Sequence, residues 1–217
     1  SHPGSYIYQS GTETDIQVPM GLFGALVVRP AMGSNYLYND ASTEFDPDRE
    51  YIALLSEVDP ALSAKMERNR SFTASNFHPR YWFINGRGLP DTLAPNFASW
   101  LPSQPYGALV RIEPWHPTLN PIPAAVHYMS VGRIEYPFHP HGNNVRVVGR
   151  DGTLLEDSTY ILAYDKYAIS VGPGQSWDTV FTWHDPETYS DSNPVPVTFP
   201  NILDLFFGSF YSGSPYL

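Results

Sequence analysis

Short apolar runs separated by turn residues set the rhythm of this chain. Residues 5–10 read Ser-Tyr-Ile-Tyr-Gln-Ser and close at Gly11-Thr12, and residues 17–28 carry a second run that ends at Arg29-Pro30. Both are rich in β-forming residues and predict two strands joined by a loop. Residues 31–48 are dominated by Gly, Ser, Asn, Asp and Pro and predict a surface linker. A new apolar run over 50–58 predicts the first strand of a second domain. Asp59-Pro60 after it suits a helix cap with proline at the first helical position, and Leu62 and Met66 follow at helical spacing. Tyr81-Trp82-Phe83-Ile84 before Asn85-Gly86 predicts a strand and a tight turn, because Asn-Gly tolerates positive φ. Residues 95–105 read as an ordered loop. Strands are then expected at 108–112, 124–129, 145–150, 160–164 and 179–183, with a last apolar run at 202–207. This spacing predicts an all-β sandwich or barrel.

Composition agrees with that class: aromatics make up 15% of the 217 residues, proline numbers 22, and charged residues are only 16%. The net charge of -10, with no basic run, argues against nucleic acid as a partner. The longest apolar stretches fall far short of the roughly 20 residues that cross a bilayer as a helix, so no transmembrane segment is expected. Zero cysteines exclude disulfides, thiolate catalysis and sulfur-ligated metal, and leave the redox compartment open. The chain opens at Ser1-His2-Pro3-Gly4 without an initiator Met and reads as the inside of a longer protein. Asn69-Arg70-Ser71 fits a glycosylation acceptor, which matters only in a eukaryotic secretory setting.

Candidate chemistry is densest at Tyr136-Pro137-Phe138-His139-Pro140-His141-Gly142-Asn143. On an extended backbone, residues two apart point to the same side, so His139 and His141 could approach one metal ion or two adjacent ones. The competing reading makes one a packing histidine and the other an exposed one. His2, His78, His116, His127 and His184 show no paired spacing and read as structural or exposed. His184-Asp185-Pro186-Glu187 reads first as a strand end turning into solvent. Asp157, Asp165, Asp178 and Asp185 are scattered singly, so no catalytic carboxylate pair can be argued from spacing. No nucleophile elbow or phosphate loop is present.

The stretch around His139 resembles the His-Pro-Phe-His-Leu-His-Gly motif of multicopper oxidases. A second stretch resembles the same family in the same order: residues 4–11 are similar to its Gly-Thr-Phe-Trp-Tyr-His-Ser-His, and residues 20–28 to its Gly-Leu-Tyr-Gly-Ala-Leu-Ile-Val strand. The resemblance implies a cupredoxin-like Greek-key β-sandwich. On this reading residues 1–30 are the final strands of a first domain, 31–49 a linker, and 50–217 a second, nearly complete domain. It also implies copper, with His139 and His141 matching ligands of the family's trinuclear cluster, and an extracellular or periplasmic location.

The departures are equally specific. Gln9 and Gly11 stand where the family has histidines, Tyr136 stands where it has the blue-copper histidine, and its His-Cys-His segment has no counterpart. Three readings stay open. The chain is a degenerate multicopper-oxidase-like protein with residual copper at His139 and His141; or a structural or assembly module, its first domain completed by other protein segments or subunits; or a portion of a longer copper-dependent oxidoreductase. An oxidase made of this chain alone is not expected, because blue copper depends on a thiolate.

Overall fold

A computed structural model describes residues 2–110, 112, 115–141, 144–155 and 162–183. The all-β expectation holds: eleven strands are described, with two short α-helices. The central sheet contains β3 (Glu50–Val58), β4 (Tyr81–Ile84), β5 (Ala124–Ser130), β7 (Val145–Arg150), β8 (Thr153–Leu154), β9 (Tyr164–Lys166) and β11 (Ser176–Phe181), in the order β4-β3-β5-β11-β7-β8, with β9 also on β7. Only β3 and β5 run parallel; the other pairs are antiparallel. Among the described residues neither this sheet nor the smaller ones close into a barrel.

Every residue of β5 and of β11 is buried, so both faces of the sheet are covered. On one face, the antiparallel pair β6 (Tyr136–Phe138) and β10 (Ile169–Val171) packs over Leu55, Val126, Tyr128, Val147 and Trp177. On the other, Leu37, Tyr38 and Phe45 pack against Ala125, Val148 and Val180. Segment 31–49, expected as a surface linker, therefore contributes Leu37, Tyr38, Thr43 and Phe45 to the interior. Its Gly, Ser and Asn content makes turns rather than solvent-facing chain: Asp40 and Asp46 each accept a backbone N–H two residues on and cap short 3-10 turns.

Outside the sheet lies a hairpin of β1 (Gly4–Gln9) and β2 (Phe23–Val28), paired from Gly4 opposite Val28 to Gln9 opposite Phe23. It forms a two-stranded sheet of its own. Helix α1 (Thr14–Gln17) takes up part of the connection, so the run expected over 17–28 becomes a strand only from Phe23.

The Asp59 cap is formed as predicted. Its side chain accepts from Ala61 N at 2.8 Å at the start of α2 (Pro60–Glu67), and its second oxygen accepts from His78 N at 3.0 Å. Asn85 and Gly86 both take positive φ after β4. The Asn85 amide reaches back to accept from Leu54 N and donate to Ile52 O and Gly107 O. The strand expected at 108–112 does not form among its described residues. Ala108 N is committed to Thr92 O and Gly107 N to Asn96 Oδ1, which binds this stretch to the loop before it. Arg87, 1% exposed, organises the same loop by donating to Gln104 O at 2.8 Å and Ala94 O at 2.9 Å, with longer bonds to Asp91 O and Pro95 O. The expected run at 202–207, and residues 160 and 161 of the expected strand at 160–164, lie outside the described residues.

Candidate functional site

His139 and His141 follow β6, where the extended backbone ends. Their rings lie 5.1 Å apart between centroids, tilted by 51°, and both side chains are exposed. His139 Nδ1 lies 2.5 Å from Tyr167 O, and Tyr167 also meets the ring edge-on at 5.5 Å. A carbonyl only accepts, so Nδ1 is the nitrogen that donates in this bond and Nε2 is the one that could serve as a metal ligand. Among the described residues, no three His, Asp or Glu side chains converge in a geometry that could hold a metal ion. Gly142, Asn143 and the cluster from His184 to Glu187 lie outside the described residues.

The other motif positions are engaged differently. Tyr136 is half-buried, and its hydroxyl donates to Glu57 Oε2 at the end of β3. Glu57 also accepts from Arg133 N at 2.5 Å and is 4% exposed; burial pushes its carboxyl pKa up, against the pull of Arg133. Arg133 in turn lies 4.6 Å over the Phe77 ring and donates to Asp15 O at 2.6 Å. Gln9, at the end of β1, and Gly11 are both exposed.

The most elaborate polar site is one that the sequence reading did not single out. Strand register creates it. Ile52 pairs in parallel with His127, and His127 pairs with Asp178 in the antiparallel neighbour. Two-residue alternation then puts Glu50, His127 and Asp178 on one face of three adjacent strands. His127 is 1% exposed, with Nδ1 2.7 Å from Asp178 Oδ1 and Nε2 2.9 Å from Glu50 Oε1. Ionised carboxylates only accept, so both ring nitrogens donate and the ring is an imidazolium.

Outer layers complete the cluster. Ser5 of β1 donates its hydroxyl to Asp178 Oδ1 and its N–H to Oδ2 at 3.2 Å, with Oγ 2.7 Å from His127 Nδ1. Tyr38 Oη donates to Asp178 Oδ2 at 2.5 Å, and Arg29 at the end of the hairpin clasps Glu50 through two bonds of 2.5 and 2.6 Å. The close approach of Tyr38 requires glycine at 149, opposite Asp178, because a Cβ there would enter the tyrosine ring.

Burial alone would lower the His127 pKa, but its hydrogen bonds to Asp178 and Glu50 and their charges outweigh it and lift it to about 9. Burial would raise Glu50, yet its bonds with His127 and Arg29 hold it down at about 2. The Asp178 carboxyl, which burial would also raise, is lowered by His127, Ser5 and Tyr38. Tyr38 is pushed well above the ordinary phenol range by burial and by Asp178.

Ser5, His127 and Asp178 are the residue types of a hydrolytic triad, but the arrangement is not one. A triad uses opposite ring nitrogens for the nucleophile and the carboxylate, whereas here Ser5 and Asp178 share Nδ1 and Glu50 occupies Nε2. Ser5 is fully buried as well. The cluster is a structural ion network.

No protein-family model and no curated protein sequence matches this chain. Solved structures do match in fold. A blue copper oxidase from Nitrosomonas europaea superposes with a TM-score of 0.59 at 16% identity, over 86% of this chain and 48% of the other. A laccase from Botrytis aclada gives 0.53 at 15% identity, over 84% and 29% of the two chains. A copper-containing nitrite reductase from Thermus scotoductus gives 0.53 at 16%, over 85% and 36%. The fold is thus that of multicopper-oxidase-like cupredoxin domains. The chain spans about half the length, or less, of these structures.

Proposed function

We propose that this protein is a multicopper-oxidase-like cupredoxin that binds copper at His139 and His141 and does not work as an oxidase by itself. The observation that carries the copper reading is the His139 ring. Its Nδ1 is tied to the Tyr167 carbonyl, its Nε2 is left for a ligand, and a second imidazole sits 5.1 Å away. Such a pair suits a single Cu(II), with water or carboxylate filling the remaining positions. Blue copper does not fit: the chain has no cysteine, and Tyr136, at the position of the blue-copper histidine, turns its hydroxyl to Glu57. Resemblance to exported oxidases supports an extracellular or periplasmic setting. No helix among the described residues is long and apolar enough to cross a membrane.

The test is a calorimetric and EPR titration of the purified chain with Cu(II). One ion per chain is expected, and its nitrogen hyperfine signal should disappear in His139→Ala and His141→Ala. Uptake below about a tenth of an equivalent at micromolar copper would sink the claim.

A second reading, an assembly module, is favoured by the hairpin. Among the described residues β1 and β2 pair only with each other, and Tyr8 and Leu26 on their outer side are 60% and 50% exposed. We read residues 1–30 as the last strands of a first domain that other protein segments or subunits complete, residues 31–49 as its connection, and 50–217 as a second domain. A third reading makes the chain a portion of a longer copper-dependent oxidoreductase whose other parts supply the thiolate that an oxidase needs. Sedimentation distinguishes these readings from an isolated module: a compact monomer with no tendency to associate counts against assembly.

A further inference from the structure

Among the described residues the hairpin β1–β2 shares no strand ladder with the central sheet. It is tied instead by side chains. Ser5 reaches Asp178 and His127, Ser176 Oγ donates to Ser5 O at 2.6 Å, and Arg29 clasps Glu50. A separate contact joins Asp15 to Arg133 at an exposed site. The two acidic anchors, Asp178 and Glu50, are held 2.7 and 2.9 Å from one imidazole. We propose that Glu50, His127 and Asp178 form a proton-dependent clamp that fixes the β1–β2 hairpin to the sheet and releases it, ahead of the sheet itself, when His127 loses its proton.

The geometry explains the direction. A neutral imidazole has one N–H and one lone pair, so whichever nitrogen is bare faces a carboxylate acceptor at hydrogen-bond distance. The repulsion acts where little water enters to screen it. Asp178 and Glu50 then relax away from the ring, and each is an anchor of the hairpin. The groups around the ring are Asp178 on β11, Glu50 on β3, Ser5 on β1 and Tyr38 from segment 31–49. Arg29 acts through Glu50, and Tyr6 and Asp151 lie beside Tyr38. Arg29 keeps its charge throughout the relevant range, so it cannot drive the change. The sheet is less affected, because β5 is held to β3 and β11 by full backbone ladders. Local opening of a weakly attached unit below the global unfolding free energy is a familiar behaviour of folded chains.

Amide hydrogen exchange by mass spectrometry on the whole chain, corrected for the intrinsic rate, tests this between pH 6 and pH 10. Protection of residues 4–9 and 23–28 should fall at least tenfold from pH 7 to pH 10, while residues 124–130 and 176–181 keep theirs. In His127→Gln, the hairpin should be weakly protected at every pH, with no step. Should that variant fail to fold, the ring nitrogens of 15N-histidine-labelled wild type decide, since His127 must stay protonated at pH 7.5. The proposal is overturned by a hairpin profile that is flat, by hairpin and sheet losing protection together, by an unchanged step in His127→Gln, or by a neutral His127 ring at pH 7.5.

Discussion

Replacing His127 by leucine tests how far the interior depends on one buried cation. Leucine has a similar volume and no polar atoms, so the cavity contribution is small and the change isolates the lost donors. Two charge-assisted bonds disappear, each worth about 1.5–3 kcal/mol. Two carboxylates stay behind, Asp178 at 1% exposure and Glu50 at 17%. Removing one partner of a buried pair costs about 3–5 kcal/mol. The lower end applies here, because Asp178 keeps Ser5 and Tyr38 and Glu50 keeps Arg29. We expect a loss of about 3 kcal/mol at pH 6, read from urea unfolding followed by tryptophan fluorescence. Combining the change with Asp178→Asn removes the buried charge on both sides, and the pair should couple by at least about 1 kcal/mol. A single-variant loss below about 1 kcal/mol, or strict additivity, would refute the account of His127 as a cation held between two anions.

Stability should peak on a plateau between about pH 4.5 and 6.5. Glu50, lowered to about 2, contributes fully above its ordinary 4.5 and less as pH falls toward 2, and lowered Asp178 acts in the same sense; His127, raised to about 9, contributes fully below 6.5 and less as pH rises through 9. Thermal midpoints across pH 2–10 check this, and a maximum above pH 9 contradicts it. Gly149→Ala should cost about 1–3 kcal/mol by displacing the Tyr38 ring, and a two-dimensional NMR spectrum should show the shift at Asp178. Asp59→Ala should cost about 1–2 kcal/mol, since it removes the cap of α2 and the acceptor for His78 N; chemical denaturation measures it.

Elements with their own local signal were legible in sequence. β3 holds the apolar run 51–55, β7 is built on Val145, Val147 and Val148, β4 is followed by Asn-Gly, and α2 begins at Asp-Pro, and each forms where that pattern places it. β6, β8 and β10 are only two or three residues long, too short to show an alternation. Segment 31–49 shows the opposite limit, since its turn residues were visible but the burial of Leu37, Tyr38 and Phe45 depends on the sheet beneath them. His139 and His141 stood out because their spacing is local. The Glu50–His127–Asp178 row did not, because its members lie 77 and 51 residues apart and meet only through the β3–β5 and β5–β11 registers. A histidine within the apolar run Ala-Ala-Val-His-Tyr-Met was the one clue, and without a known register it has no visible partner.

Arg87 gives the 87–107 loop a different dependence on its surroundings. The described acceptors around its guanidinium are backbone carbonyls, which do not titrate. The bonds that Arg87 makes in this loop therefore involve no titrating acceptor, while those that fix the hairpin at the amino end run through carboxylates and an imidazole. One small fold thus holds two peripheral elements by different chemistry, and a change in pH that acts on the hairpin's clamp leaves the acceptors around Arg87 unaltered.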